Sequence, residues 1–128
     1  MSDTDCTKSE ILVLAADELP RRAFERTLTD HGYEPLLARD LGDAMALAEE
    51  NAFALGVVDT HNVSLDSAIA LARRLFANNP AARAIIVHDV SIDQEPCDGS
   101  SNRIRILYRP FPMLEFISSV DDALTVKR

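Results

Sequence analysis

The chain has 128 residues, 47% of them hydrophobic and 27% charged, with a formal net charge of −8 at pH 7. That length makes one domain with a sizeable core, and the hydrophobic share excludes general disorder. The acidity argues against nucleic acid or an anionic membrane as a partner, both being polyanions, and no apolar run approaches the ~20 residues of a membrane span.

Residues 1–10, MSDTDCTKSE, are polar and acidic and hold no signal peptide, so the chain divides into a tail over 1–9 and one domain over 10–128. A short apolar run, Ile11–Ala16, predicts the first strand. A helix follows over 19–31, with Phe24, Leu28 and His31 on one face and Pro20 tolerated in its first turn. A weaker strand spans 33–38. The next helix, 41–51, aligns Leu41, Ala44, Met45 and Ala48, with Asp40 as N-cap. Ala54–Val58 is the third strand. Ser64 caps a helix over 65–78 that aligns Leu65, Ile69, Ala72, Leu75 and Phe76, and Pro80 follows its end. Ala84–Val87 is the fourth strand. Pro96 and Gly99 interrupt residues 89–102, so the fourth helical slot is short or replaced by loop. A fifth strand over 103–108 alternates Arg103 and Arg105 with Ile104 and Ile106, the pattern of an edge. A last helix, 112–126, places Met113, Ile117, Val120 and Leu124 together.

Continuous rather than alternating apolar runs belong to strands buried on both faces, which means a parallel sheet covered by helices. Alternating strands and helices with short connections make this a five-stranded doubly wound α/β fold. Cys6 and Cys97 match no zinc or redox spacing and read as free thiols of a cytoplasmic protein. The chain starts at Met1, which reads as a stand-alone protein or the N-terminal module of a longer one. In this fold class ligands gather at the carboxyl ends of the strands. Those ends carry Ala15, Ala16 and Asp17; Asp59, Thr60 and His61; His88; and Tyr108 and Arg109.

The fragments ILVLAADE, VVDT, IIVHD and YRPF, in this order, resemble the receiver domain of two-component response regulators over about residues 10–126. The resemblance implies the flavodoxin-like strand order 2-1-3-4-5 and a place in a phosphorelay. It also implies a phosphoacceptor at Asp59, which ends the third strand. Receivers bind Mg²⁺ through that Asp and an acidic pair after the first strand, here Ala15 and Ala16. They hold the phosphoryl group with a hydroxyl, here replaced by His88, and a Lys, here Arg109. The aromatic that reports phosphorylation in the family is here replaced by Ile106. An aspartate attacking a phosphoryl group is an anion meeting an anion, and magnesium offsets that repulsion. Two alanines offer it no side-chain ligand, so the resemblance implies a degenerate, pseudo-receiver type without Mg²⁺ or other cofactor. A pair between Asp59 and Arg109, joined by His88, is expected to fill the phosphoryl pocket.

Several residues allow two readings. Asp17 caps the first helix or reaches a metal. His61 and His88 with Asp59 resemble a transition-metal site; otherwise His88 hydrogen-bonds Asp59 or a loop and His61 faces solvent. His31 suits the negative end of its helix. Arg103, Arg105, Tyr108 and Arg109 keep an edge strand soluble, or form a docking face, or hold a cyclic dinucleotide with Tyr108 stacking a base. No GxGxxG, P-loop or GxSxG motif occurs, so no enzymatic activity is expected. Function is expected through protein contact with a histidine kinase or output domain, or through a homodimer using the 91–126 face. The alternatives are a working phosphoacceptor at Asp59 and a small-ligand sensor on the fifth strand.

Overall fold

The computed structural model describes residues 11–61, 63–89, 103–109 and 111–125, and for Asp89, Arg109 and Thr125 it describes the backbone. The elements run β1 (Ile11–Leu14), α1 (Glu18–Asp30), β2 (Pro35–Ala38), α2 (Leu41–Glu50), β3 (Leu55–Asp59), α3 (Leu65–Asn78), β4 (Arg83–Asp89), β5 (Ile104–Arg109) and α4 (Met113–Thr125). The five strands form one parallel sheet in the order β2-β1-β3-β4-β5. The short fourth helical slot, both cysteines and Asn62 lie outside the described residues.

The sheet is buried on both faces because successive side chains point opposite ways and both sets are apolar. Ile11, Val13, Val57, Ile85, Val87 and Leu107 face α1 and α4, where they meet Phe24, Leu28, Phe116 and Val120. Leu12, Leu14, Val58 and Ile86 face α2 and α3, where they meet Ala44, Ala48, Leu71 and Leu75. Gly56 on β3 lies directly under α3, and a methyl group there would overlap Leu75 Cδ1. β5 is an edge, as its alternation predicts, and so is β2, whose first residue is Pro35.

The caps behave unequally. Asp40 accepts from Asp43 N at 2.8 Å and Ser64 accepts from Ser67 N at 3.1 Å, as expected. Asp17 occupies the N-cap position of α1 but makes no capping bond with its side chain. α1 ends at the C-cap His31, whose Nδ1 lies 3.0 Å from Thr27 O. Gly32 then takes a positive φ of 90°, a turn conformation open to glycine. α4 buries Ile117 and Val120 and packs Leu124 against the core as expected, with Phe116 joining them in place of Met113. Phe116 packs at 5.0 Å between ring centroids on Phe24, while Met113 is exposed. A large aromatic with a partner across the layer gains more by burial than a methionine at the helix start. Among the described residues, no helix is long and apolar enough to cross a membrane.

Candidate functional site

The parallel register brings the carboxyl ends of β1, β3 and β4 side by side, with Val58 opposite both Leu14 and Ile86 and Asp59 opposite Val87. Asp59 is 1% exposed, and its Oδ1 accepts from His61 N at 3.0 Å, closing a tight turn after β3. Thr60 crosses to β4, its N and Oγ1 both donating to Val87 O at 3.0 Å. Thr60 Oγ1 also lies 2.8 Å from His88 Nδ1. A hydroxyl has one proton, so with that proton on Val87 O the imidazole donates from Nδ1. The His88 ring sits 6.3 Å from Tyr108, its neighbour across the β4–β5 ladder.

At the end of β1, a residue the motif comparison passes over takes the central place. Arg21, one turn into α1, reaches back and donates from Nη1 to Ala15 O at 3.0 Å and Ala16 O at 3.2 Å. Beside it, His61 Nε2 lies 3.0 Å from Asp17 Oδ2. A hard cation such as magnesium takes oxygen donors, chiefly carboxylates. Ala15 and Ala16 supply none from their side chains, their carbonyls already accept from a guanidinium, and Asp17 is engaged by His61. Asp59 is the one buried carboxylate among the described residues. This donor set does not fit a magnesium centre.

Several expectations are corrected here. Asp17 spends its carboxylate on His61 rather than on capping α1. His61 is therefore paired rather than merely solvent-facing. His88 bonds Thr60, not Asp59. The register explains it: Asp59 continues the side of the sheet that Val57 and Val87 share, whereas His88 follows Ile86 to the other side. Two imidazoles with separate partners do not make the transition-metal cluster, and among the described residues no three His, Cys, Asp or Glu are placed to hold a metal ion. Arg109 ends β5 opposite Asp89, and its side chain, with the expected pair to Asp59, lies outside the described residues.

The β5 residues do not form one cluster. Ile104 and Ile106 pack on the α2–α3 side of the core. Arg103 lies with its guanidinium 4.0 Å over the Phe76 ring and donates to Pro80 O and Ala82 O. Arg105 turns to α4 and donates to Ser119 Oγ at 3.0 Å. Tyr108 stands at the other end of the strand beside His88, about 10 Å along the ladder from Arg105 at ~3.3 Å per residue. A base stacked on Tyr108 is thus not flanked by Arg103 and Arg105. Tyr33 shows one strong titration effect: burial, then the hydrogen bond to Asp121 at 2.6 Å and its charge, push the phenol up to about 12.

No protein-family model matches the sequence, and no curated protein matches it. Solved structures do match. A response regulator receiver protein from Sinorhizobium medicae superposes with a TM-score of 0.80 at 19% identity, over 94% of this chain and 97% of that one. The receiver domain of the hybrid histidine kinase CckA gives 0.70 at 22% identity, over 90% and 98%. A chemotaxis response regulator of Vibrio cholerae gives 0.75 at 18% identity, over 91% and 99%. The class is thereby defined: a flavodoxin-like α/β domain with the five-stranded 2-1-3-4-5 sheet. More narrowly, the fold is that of response regulator receiver domains, with Asp59 at the carboxyl end of the central strand β3.

Proposed function

We propose that the chain is a degenerate receiver-like regulatory domain of two-component signalling, non-enzymatic, working by protein contact without Mg²⁺-dependent phosphorylation of Asp59. The observation that carries this reading is Arg21 on the carbonyls of Ala15 and Ala16. A receiver needs a cation at that point when the phosphoryl group arrives, and a metal ion is exchangeable where a guanidinium tied into α1 is not. The positive charge is built in, and the switch that depends on loading it is given up. The partner is a histidine kinase, an output domain or a second copy, met through the 91–126 face. Of that face, Leu114 is 76% exposed at the start of α4, an apolar side chain open to such contact. Thermal unfolding with Mg²⁺ and beryllofluoride, a phosphoryl mimic, tests the reading. A ligand bound by the native state alone raises the unfolding temperature. The expected result is an unchanged midpoint with both added. A rise that needs both and disappears in Asp59→Asn overturns the reading in favour of a working phosphoacceptor.

A further inference from the structure

α1 and α4 lie side by side on one face of the sheet, where Phe24 packs on Phe116 at 5.0 Å between ring centroids. Both helices return against strands of one parallel sheet, so they run in the same direction and start at the same end. Each carries a large apolar side chain open to solvent near that start. Leu19 is 81% exposed and Leu114 76%, the two most exposed large hydrophobic residues among those described. One solvated leucine is ordinary, but two at the same end of adjacent helices make a patch.

The outward charges of the two helices differ. On α1, Leu19, Arg22 and Arg26 follow one another at three- and four-residue spacing, on the side away from the buried Phe24 and Leu28. Glu18 and Glu25 flank this ridge and Asp30 closes it. Arg22 meets Glu18 in an exposed pair, and Arg26 has no partner among the described residues. On α4 the outer ridge is Leu114 and Ser118, with Glu115, Asp121 and Asp122 around it and no Lys, Arg or His in the helix. Asp121 accepts from Tyr33 and Asp122 stands near Arg105, whereas the Glu115 carboxylate has no partner among the described residues.

We infer that this two-helix face pairs with the same face of a second copy, α1 of each chain lying on α4 of the other. The inference rests on the reading of the chain as a protein-contact module and names its partner. Charge decides the arrangement. Laying α4 on α4 sets three carboxylates against three, and α1 on α1 sets arginine ridge against arginine ridge. A twofold axis along the helices avoids both. Counted from the Phe24–Phe116 contact, Arg22 falls at the height of Leu114 and Arg26 at that of Ser118, so Glu115 of the second copy lies between the two arginines. Leu19 of one copy then comes within about one turn of Leu114 of the other. Two helices of 13 residues, each ~20 Å long, give a footprint of ~400 Å² per chain, below the ~800 Å² of a standard interface. The dimer is therefore weak and concentration-dependent.

Sedimentation equilibrium of the full chain between about 1 µM and about 500 µM tests the inference. The mass is expected to rise from one chain toward two across that range. Leu19→Asp and Leu114→Asp should each hold it at one chain, with circular dichroism unchanged because both side chains are solvent-exposed in the single chain. Arg22→Glu and Glu115→Arg should each weaken the dimer about five- to tenfold by setting like charges together. The double variant should dimerise more tightly than either single one, a recovery that damage to the fold does not produce. A parent that stays at one chain throughout, a dimer that Leu19→Asp leaves intact, or a double variant no tighter than the singles overturns the inference. None of these results bears on the silent Asp59 pocket, which stands or falls with Mg²⁺ and beryllofluoride.

Discussion

Replacing Arg21 with alanine removes a side chain that ties α1 to the end of β1, and its cost follows from the geometry. A single nitrogen, Nη1, is shared between Ala15 O at 3.0 Å and Ala16 O at 3.2 Å, so the interaction counts as one charge-assisted bond rather than two. Such bonds contribute about 1.5–3 kcal/mol, and the loss is felt because Ala15 is fully buried. Taking ~2 kcal/mol, and an unfolding entropy of roughly 2.1 cal/mol/K per residue over the chain, the midpoint falls by about 7 °C. The neighbouring Arg22 is the natural control. It pairs with Glu18 at 3.2 Å, but both side chains are largely exposed, 72% and 64%. An exposed pair of this spacing contributes about 0.3–0.5 kcal/mol, so Arg22→Ala lowers the midpoint by ~1–2 °C. Thermal unfolding followed by circular dichroism, at equal protein concentration, compares the two. Equal falls for Arg21→Ala and Arg22→Ala refute the idea that Arg21 is anchored at the strand end.

Further predictions follow from the same structure. Gly56→Ala forces a methyl group onto Leu75, which is fully buried, and overpacking of this kind costs about 1–3 kcal/mol, visible in the urea midpoint. The Tyr33 phenol loses its proton near 10 when unfolded and near 12 when folded. Its contribution is complete below pH 10 and declines as pH rises toward 12, so stability falls across that window and falls less in Tyr33→Phe. Pairing Arg21→Ala with Ala16→Asp restores a carboxylate and vacates the strand-end carbonyls. This double variant should gain a rise in unfolding temperature with Mg²⁺ that the parent lacks, in the same thermal assay.

Much of the fold is written in short-range pattern. Continuous apolar runs such as Ile11–Leu14 announce a strand buried on both sides, and Asp40 and Ser64 announce helix starts through the bonds they make three residues on. The misreadings come from contacts between distant segments. Asp17 has the position and chemistry of a cap, yet a histidine delivered by the β3–α3 loop claims its carboxylate. His88 ends its strand near Asp59 in any alignment of motifs, but the register pairs Asp59 with Val87 and turns His88 to the other face. Register is not encoded in any one strand. Arg21 gives the faintest signal of all: an arginine one turn into a helix is ordinary until the preceding strand end is known to lack side-chain oxygens. The substitution of the acidic pair by Ala15 and Ala16 was legible, and what took over the position was not.

On the proposed function, the Asp59 pocket is silent toward phosphoryl transfer. Incubating the chain with acetyl phosphate and Mg²⁺ and weighing the intact protein tests it most directly. An unchanged mass is expected for the parent chain, as for Asp59→Asn treated in the same way. A phosphoryl adduct on the parent that Asp59→Asn does not acquire would contradict it.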